Sequence, residues 1–406
     1  MNHIYLDANS TTRLDQRVRK VMSECFDANY VNPSSQHRPG QLARRQIEIA
    51  RDGIVRSLGG SPKDRLIFTS GGTESNNLAV IGLASGMAPR AENEQSPEVI
   101  VSSVEHPSVL GASEFLRSQG FVVHQLPVDQ SGRALTESLE KLITSETRLV
   151  SLMLANNETG AIQDIASAAK ICNQRDVLLH CDAVQAIGKV PVCFREMGVS
   201  ALTMTAHKLH GPRGIGGLLL AEDLDLQPMM FGGFQQLGQR PGTEDVALAS
   251  GFAKAIELAV DGMVEHSDQL RELRDLFEAT ILAELPDTVI NGVDGQRAPH
   301  TSNLSFPGSM GSTASTSTSE STQDSYATVN RQALLMAVDA AGVAISTGSA
   351  CASGSSEPSH VLTSMGLAED IVESSIRVSL SILTTRSEVV EGANRIINAV
   401  KHLRRN

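Results

Sequence analysis

The chain has 406 residues, more than one compact core usually holds, so two domains are expected. Aromatic residues make up 3%, with no Trp, and the formal net charge is −12. Such a chain offers neither the stacking platforms nor the basic surface that nucleic acids require, and direct nucleic-acid binding is not expected. An acidic surface suits solubility and would accept a cationic protein partner. The segment that opens the chain carries no charged region followed by an apolar stretch, and no apolar run reaches membrane-spanning length. Its five cysteines (Cys25, Cys172, Cys181, Cys193 and Cys351) form no CxxC pair and no zinc-like spacing, so no metal site is expected. An odd, scattered set reads as reduced and intracellular, and the expected location is cytoplasmic, with no membrane contact.

From about Leu66 to Leu220, short apolar runs alternate with helical patterns. The runs are LIFTS (66–70), VIVSSV (99–104), LVSLML (149–154), VLLHCD (177–182) and ALTMT (201–205). Nearly continuous apolar runs predict strands buried on both faces. The segments at 74–84 and 164–175 between them have helical spacing. This alternation predicts an α/β fold, a mostly parallel sheet covered by helices, in which ligands bind beyond the carboxyl ends of the strands.

The residues that follow the strands bear this out as candidates. Gly71, Gly72 and Thr73 join a strand to a helix, a turn that brings main-chain N–H groups close to an anion, or a plain capped turn. His106 follows the second run, and as a residue type it is equally a catalyst or a structural hydrogen-bonder. Asn156 and Asn157 follow the third and suit either a ligand or a turn. Asp182 ends the fourth, with Gln185 three residues on. A carboxylate there needs a cationic partner, a protonated ring nitrogen, an Arg or Lys, or else acts as a helix cap. Thr205, His207 and Lys208 end the fifth, before a glycine-rich turn. A lysine after a buried strand is partly desolvated, which favours the amine form that makes Schiff bases.

Helical spacing continues from about Ala247 to Leu285, and a second, smaller domain is expected to begin within it. The assigned division is 14–258 for the large domain, with 1–13 and 259–406 forming a smaller α+β domain. Between Pro307 and Thr328 lies a Ser/Thr/Gly tract, including 309–325, with almost no apolar residues, expected to be a mobile surface loop. Cys351 follows in GSACASGSSEPS. Small residues and Gly around it point to an exposed, mobile thiol, unlike the other four, which lie in more apolar segments.

Taken in order, YLDANSTT, NPSSQHRPG, FTSGGTESNN, VEHPSV, NNETGAIQDI, HCDAVQAIGK, HKLHGPRGIG, RPGTEDV, STGSACASGSSEPSHVL and SSIRVSL resemble the motifs of the cysteine desulfurases. These are the NifS/IscS-like group of the fold-type I, class V aminotransferase family. The resemblance spans nearly the whole chain. It implies pyridoxal 5'-phosphate bound by Lys208, with Asp182 on the ring nitrogen and Gln185 on the phenolic oxygen. His106 would stack on the ring and move protons. Gly72, Thr73, Thr205 and His207 would surround the phosphate, and Thr243 would reach the phosphate of a neighbouring subunit in a homodimer. Asn157 and Arg377 would hold the carboxylate of L-cysteine. Lys208 would move the α-proton, and the Cys351 thiolate would take the substrate sulfur as a persulfide, releasing L-alanine. The persulfide would pass to a sulfur-acceptor protein, a scaffold or carrier in iron–sulfur or other sulfur-cofactor assembly. The alternative readings are a selenocysteine lyase and a catalytically silent sulfur-assembly scaffold, the latter with little reason to keep Lys208, Asp182, His106 and Cys351 together. Ser381 stands where the family commonly has Gly.

Overall fold

The computed structural model describes residues 3–86, 95–308, 327–348 and 357–405. Cys351 and the tract at 309–325 lie outside the described residues.

After a short opening strand β1 (Ile4–Tyr5), every apolar run expected to be a strand joins one seven-stranded sheet. Its members are β2 (Arg65–Thr69), β3 (Glu98–Ser102), β4 (Val122–Leu126), β5 (Thr147–Ser151), β6 (Leu178–Asp182), β7 (Ala201–Thr205) and β8 (Gly216–Leu220). They lie in the order β2-β8-β7-β6-β5-β3-β4. Only β8 runs against its neighbours; the other pairs are parallel. Four consecutive residues are buried in each of β2, β3 and β6, and all five in β7, because helices cover both faces. Helices Arg38–Ser57, Ile165–Gln174 and Val246–Asp261 pack one face; Gly72–Gly86 and Pro107–Ser118 pack the other. Within the sheet, His180 ties three strands together through Ser151 Oγ at 2.8 Å and Thr203 Oγ1 at 2.9 Å. Burial pushes its pKa down to about 4, so it is a neutral core group.

Helices at 74–84 and 164–175 are present as Gly72–Gly86 and Ile165–Gln174. The helical stretch expected over 247–285 is two helices, Val246–Asp261 and Met263–Glu284. They part at Gly262, where a Cβ would sit 2.3 Å from the His266 ring. The half-exposed imidazole folds over this position, whose φ of −90° is ordinary.

A second apolar cluster draws on both ends of the chain. Ile4 and Leu6 pack with Phe277, Ile281, Leu304, Phe306, Ile376, Val378 and Ile396. Around it run β9 (Val289–Ile290), β10 (Thr301–Ser305), β11 (Val343–Ala344) and β12 (Ser375–Ser379). β12, β10 and β9 form an antiparallel sheet, and β11 pairs in parallel with β1. The last helix, Arg386–Leu403, starts at a reciprocal Thr385–Glu388 capping box. Just before it, Ser381 avoids positive φ, so serine sits without strain where the family commonly has Gly. Among the described residues no helix is long and apolar enough to cross a membrane.

Candidate active site

A cavity of about 510 Å³ opens beyond the carboxyl ends of the parallel strands, where the crevice of such a sheet is expected. Each strand delivers its own residues to it. The turn after β2 supplies Gly72 and Thr73, and β3 leads to His106. Asn157 follows β5, Asp182 ends β6 with Gln185 just beyond, and β7 supplies Thr205, His207 and Lys208. From β12 of the second cluster comes Arg377. The structure thus brings ten candidates to one wall-lined space. Thr243 is not among them; it lies exposed before helix Val246–Asp261.

At one end of the cavity stands the N-terminus of helix Gly72–Gly86. Its first N–H groups have no partners within the helix and carry the positive end of the dipole. A Cβ on Gly71 would meet nothing nearer than Thr205 Oγ1 at 4.0 Å, so the chain leaves an open approach beside Thr205. Thr73, Thr205 and His207 line the cavity beside that approach, residue types suited to a phosphate, and Thr205 Oγ1 donates to the Ile215 carbonyl at 3.2 Å. Burial, and next the charge of Lys208, push the His207 imidazole down to about 4.

Deeper in, the Asp182 carboxylate is buried. Oδ2 accepts from Asn76 Nδ2 at 2.7 Å and Oδ1 from the Val184 N–H at 2.9 Å. These bonds fix its orientation. Gln185 donates through Nε2 to the Asn9 carbonyl at 3.0 Å and leaves Oε1 buried without a partner among the described residues. An orphaned amide oxygen on a cavity wall awaits a ligand donor, or an amide turned over to donate. The Asn76 amide also donates to Ser108 Oγ at 2.8 Å, and Ser108 approaches His106 Nδ1 by Oγ at 2.7 Å and by its main-chain N–H at 3.1 Å. Two donors on Nδ1 leave the ring proton on Nε2. Desolvation is the largest influence on His106 and lowers its pKa, so the ring is neutral at ordinary pH.

Lys208 sits on a short 3-10 turn directly after β7. Its Nζ donates to the main-chain carbonyls of Asn9 and, at 2.7 Å, of Ser10. Polar groups of this cavity match pyridoxal 5'-phosphate end to end: an anion cradle, a lysine amine, a buried carboxylate and an unsatisfied amide.

Several lining residues carry no role in the sequence reading. Asn76 lies one helical turn beyond Thr73, and that i,i+3 spacing could have marked it. Asn9 and Ser10 stand in the opening motif, but their place beside Lys208 depends on the chain's return across 199 residues. Glu158 is buried and accepts from Ser359 Oγ at 2.6 Å. His360 lines the cavity and donates from Nε2 to the Glu105 carbonyl at 3.0 Å. Burial pushes the Glu105 carboxyl well above the usual range.

Comparison with known proteins places this geometry in company. The family described as aminotransferase class-V matches residues 4–391. A cysteine desulfurase IscS of Dictyoglomus turgidum is 38% identical over 386 residues, 95% of this chain and 91% of that one. A cysteine desulfurase NifS of Azotobacter vinelandii is 36% identical over 400 residues, 98% of this chain and 92% of that one. Among solved structures, a NifS-like protein superposes with a TM-score of 0.86 at 31% identity, covering 99% of this chain and 100% of its own. SspA, solved in complex with cysteine, superposes with a TM-score of 0.77 at 30% identity, covering 94% of this chain and 100% of its own.

Proposed function

The chain belongs to the aminotransferase class-V family and, within it, to the cysteine desulfurases, and from this premise we propose the following division of labour. L-Cysteine enters the cavity, loses its sulfur to Cys351 as a persulfide and leaves as L-alanine. The persulfide then passes to an acceptor protein, for iron–sulfur or other sulfur-cofactor assembly in the cytoplasm. The observation that carries this reading is the meeting of Lys208, Asp182, His106 and Arg377 in one cavity.

Pyridoxal 5'-phosphate, held by the residues at the carboxyl ends of the strands, would supply an electron sink for the charge left on the substrate α-carbon. Gly72, Thr73, Thr205 and His207 would hold its phosphate, Asp182 its ring nitrogen and Gln185 its phenolic oxygen. The chain's own residues do the rest. Asn76 and the Val184 N–H keep the Asp182 carboxylate aimed, so no reorganisation is needed to meet a cation. Lys208 would hold the cofactor through its amine, and the same amine would move the proton at the substrate α-carbon. His106, held neutral and fixed by Ser108, would lie against the cofactor and would exchange protons with the substrate sulfur. Arg377 and Asn157 orient the substrate carboxylate. The test is direct: protein supplied with the cofactor and a thiol reductant is expected to convert L-cysteine to equal amounts of L-alanine and sulfide. Absence of alanine overturns the reading.

We read 14–258 and 1–13 with 259–406 as two domains, supported by two separate apolar clusters, one drawn from residues 18–256 and the other from residues 4–6 and 270–400. We also read the protein as a homodimer with shared sites. The loop before Thr243 supports this: Phe231, Phe234 and Leu237 are 88%, 81% and 66% exposed. Apolar side chains gathered on one exposed loop mark an interaction surface. Arg240 ties that loop to Glu74 at 2.7 Å, at the start of the helix whose N-terminus faces the phosphate site. Mixing a Thr243→Ala chain with a Lys208→Ala chain is expected to give heterodimers with one intact and one doubly altered site. The mixture should then exceed either parent in turnover. Sedimentation as a fully active monomer would sink the dimer.

A further inference from the structure

Arg377 is among the most deeply buried side chains of the protein, at 1% exposure, and its donors are nearly all committed. Nη1 donates to the main-chain carbonyls of Asn157 at 3.0 Å and Gly348 at 3.1 Å. Nη2 donates to Ser10 Oγ at 3.1 Å and to Asp7 Oδ1 at 2.7 Å. Nε alone is buried without a partner among the described residues. A substrate carboxylate prefers two parallel N–H donors, and one open donor does not make a fork. One existing partner must therefore give way. The partners of Nη1 are carbonyls fixed in the backbone. Those of Nη2 are side chains, and Nη2 shares an edge of the guanidinium with Nε. Of these two, Asp7 is the anion, and a second carboxylate arriving on that edge meets it as a like charge.

We propose that Asp7 is a built-in competitor for Arg377: its carboxylate holds the guanidinium edge that the carboxylate of an amino-acid substrate takes over, and so it weakens and sets substrate binding. This deepens the function proposed above and rests on Arg377 being the carboxylate-binding residue. Asp7 is well placed for it. Its backbone is pinned, with Leu6 N–H bonded to Ala344 O and Ala8 N–H to Ser379 O at 2.9 and 3.1 Å. Its side chain is nevertheless 16% exposed, so it can turn away to water, whereas Arg377 cannot. A buried guanidinium needs a counter-charge at all times, and exchange between two carboxylates keeps it paired throughout. Asp7 is thus a positioning residue that acts through Arg377.

The variant is Asp7→Asn, which keeps size and an acceptor oxygen but removes the charge. In the cofactor-loaded enzyme its KM for L-cysteine is expected to fall about tenfold, the effect of losing one competing charge-assisted bond, with a smaller change in kcat. L-Alanine, which keeps the carboxylate, should bind more tightly by a similar factor in a thermal-shift titration. Cysteamine, which lacks the carboxylate, should bind Asp7→Asn and the natural protein alike. Asp7→Ser carries the same expectations should Asp7→Asn fail to fold. Arg377→Lys, measured alongside, should raise KM for L-cysteine. If it does not, the carboxylate role of Arg377 falls and the competitor with it. If Arg377→Lys raises KM but the Asp7 variants leave it unchanged or raise it, the competitor alone is overturned.

Discussion

Lys208→Ala is expected to lower L-cysteine turnover by at least about a thousandfold, because in the proposed mechanism the same amine both binds the cofactor and moves the α-proton. It should also remove the visible absorbance of lysine-bound cofactor, though free cofactor still enters the cavity. The geometry leaves Lys208 little competition: it is the one lysine among the described residues lining the main cavity, and it reaches the Asn9 and Ser10 carbonyls directly after β7. Lys189 is the rival to exclude. Its Nζ donates to the main-chain carbonyl of Lys208 at 3.3 Å, and burial pushes its pKa down to about 7, which makes its amine available at neutral pH. Borohydride reduction of the loaded protein followed by peptide mapping separates the two. A label on Lys208 is expected; a label on Lys189 would overturn the assignment whatever the activity of the alanine variant.

The fold was legible where burial is continuous. β2, β3, β5, β6 and β7 are covered on both faces, so each reads as an unbroken apolar run. β4 reads as nothing in particular: it is the sheet's edge, half exposed, and VVHQL carries no such run. The break at Gly262 was hidden for a different reason, since a single glycine within helical spacing either continues or ends a helix. Candidate residues that end parallel strands were legible because topology sends ligands to those ends. What stayed hidden are the residues that hold them. Asp7 meets Arg377 across 370 residues, and Asn76 meets Asp182 across 106. No spacing rule reaches that far; only the path of the folded chain pairs them.

Cys351→Ser is expected to cut release of alanine and sulfide from L-cysteine by at least about a hundredfold while leaving substrate binding intact. The residue itself lies outside the described part of the chain, but both flanks are built into the cavity wall. Arg377 Nη1 holds the carbonyl of Gly348, three residues before it, and Glu158 holds Ser359 at 2.6 Å on the far side. The other cysteines are poor substitutes. Burial pushes Cys172 up to about 12 and Cys181 well above its ordinary value, Cys25 is buried, and Cys193 is half-buried. Only the thiolate is nucleophilic, so iodoacetamide is expected to label Cys351 before any of these. Serine matches the size of cysteine, but its hydroxyl ionises at much higher pH and does not attack a thiol sulfur near neutrality. The variant should therefore still show the spectral change of L-cysteine binding to the loaded protein, and then stall. Selenocysteine turnover should fall less, because selenium leaves more readily and needs less help from a nucleophile. Turnover of L-cysteine at the natural rate by Cys351→Ser would make the thiol incidental and the protein a lyase that expels sulfur without a persulfide.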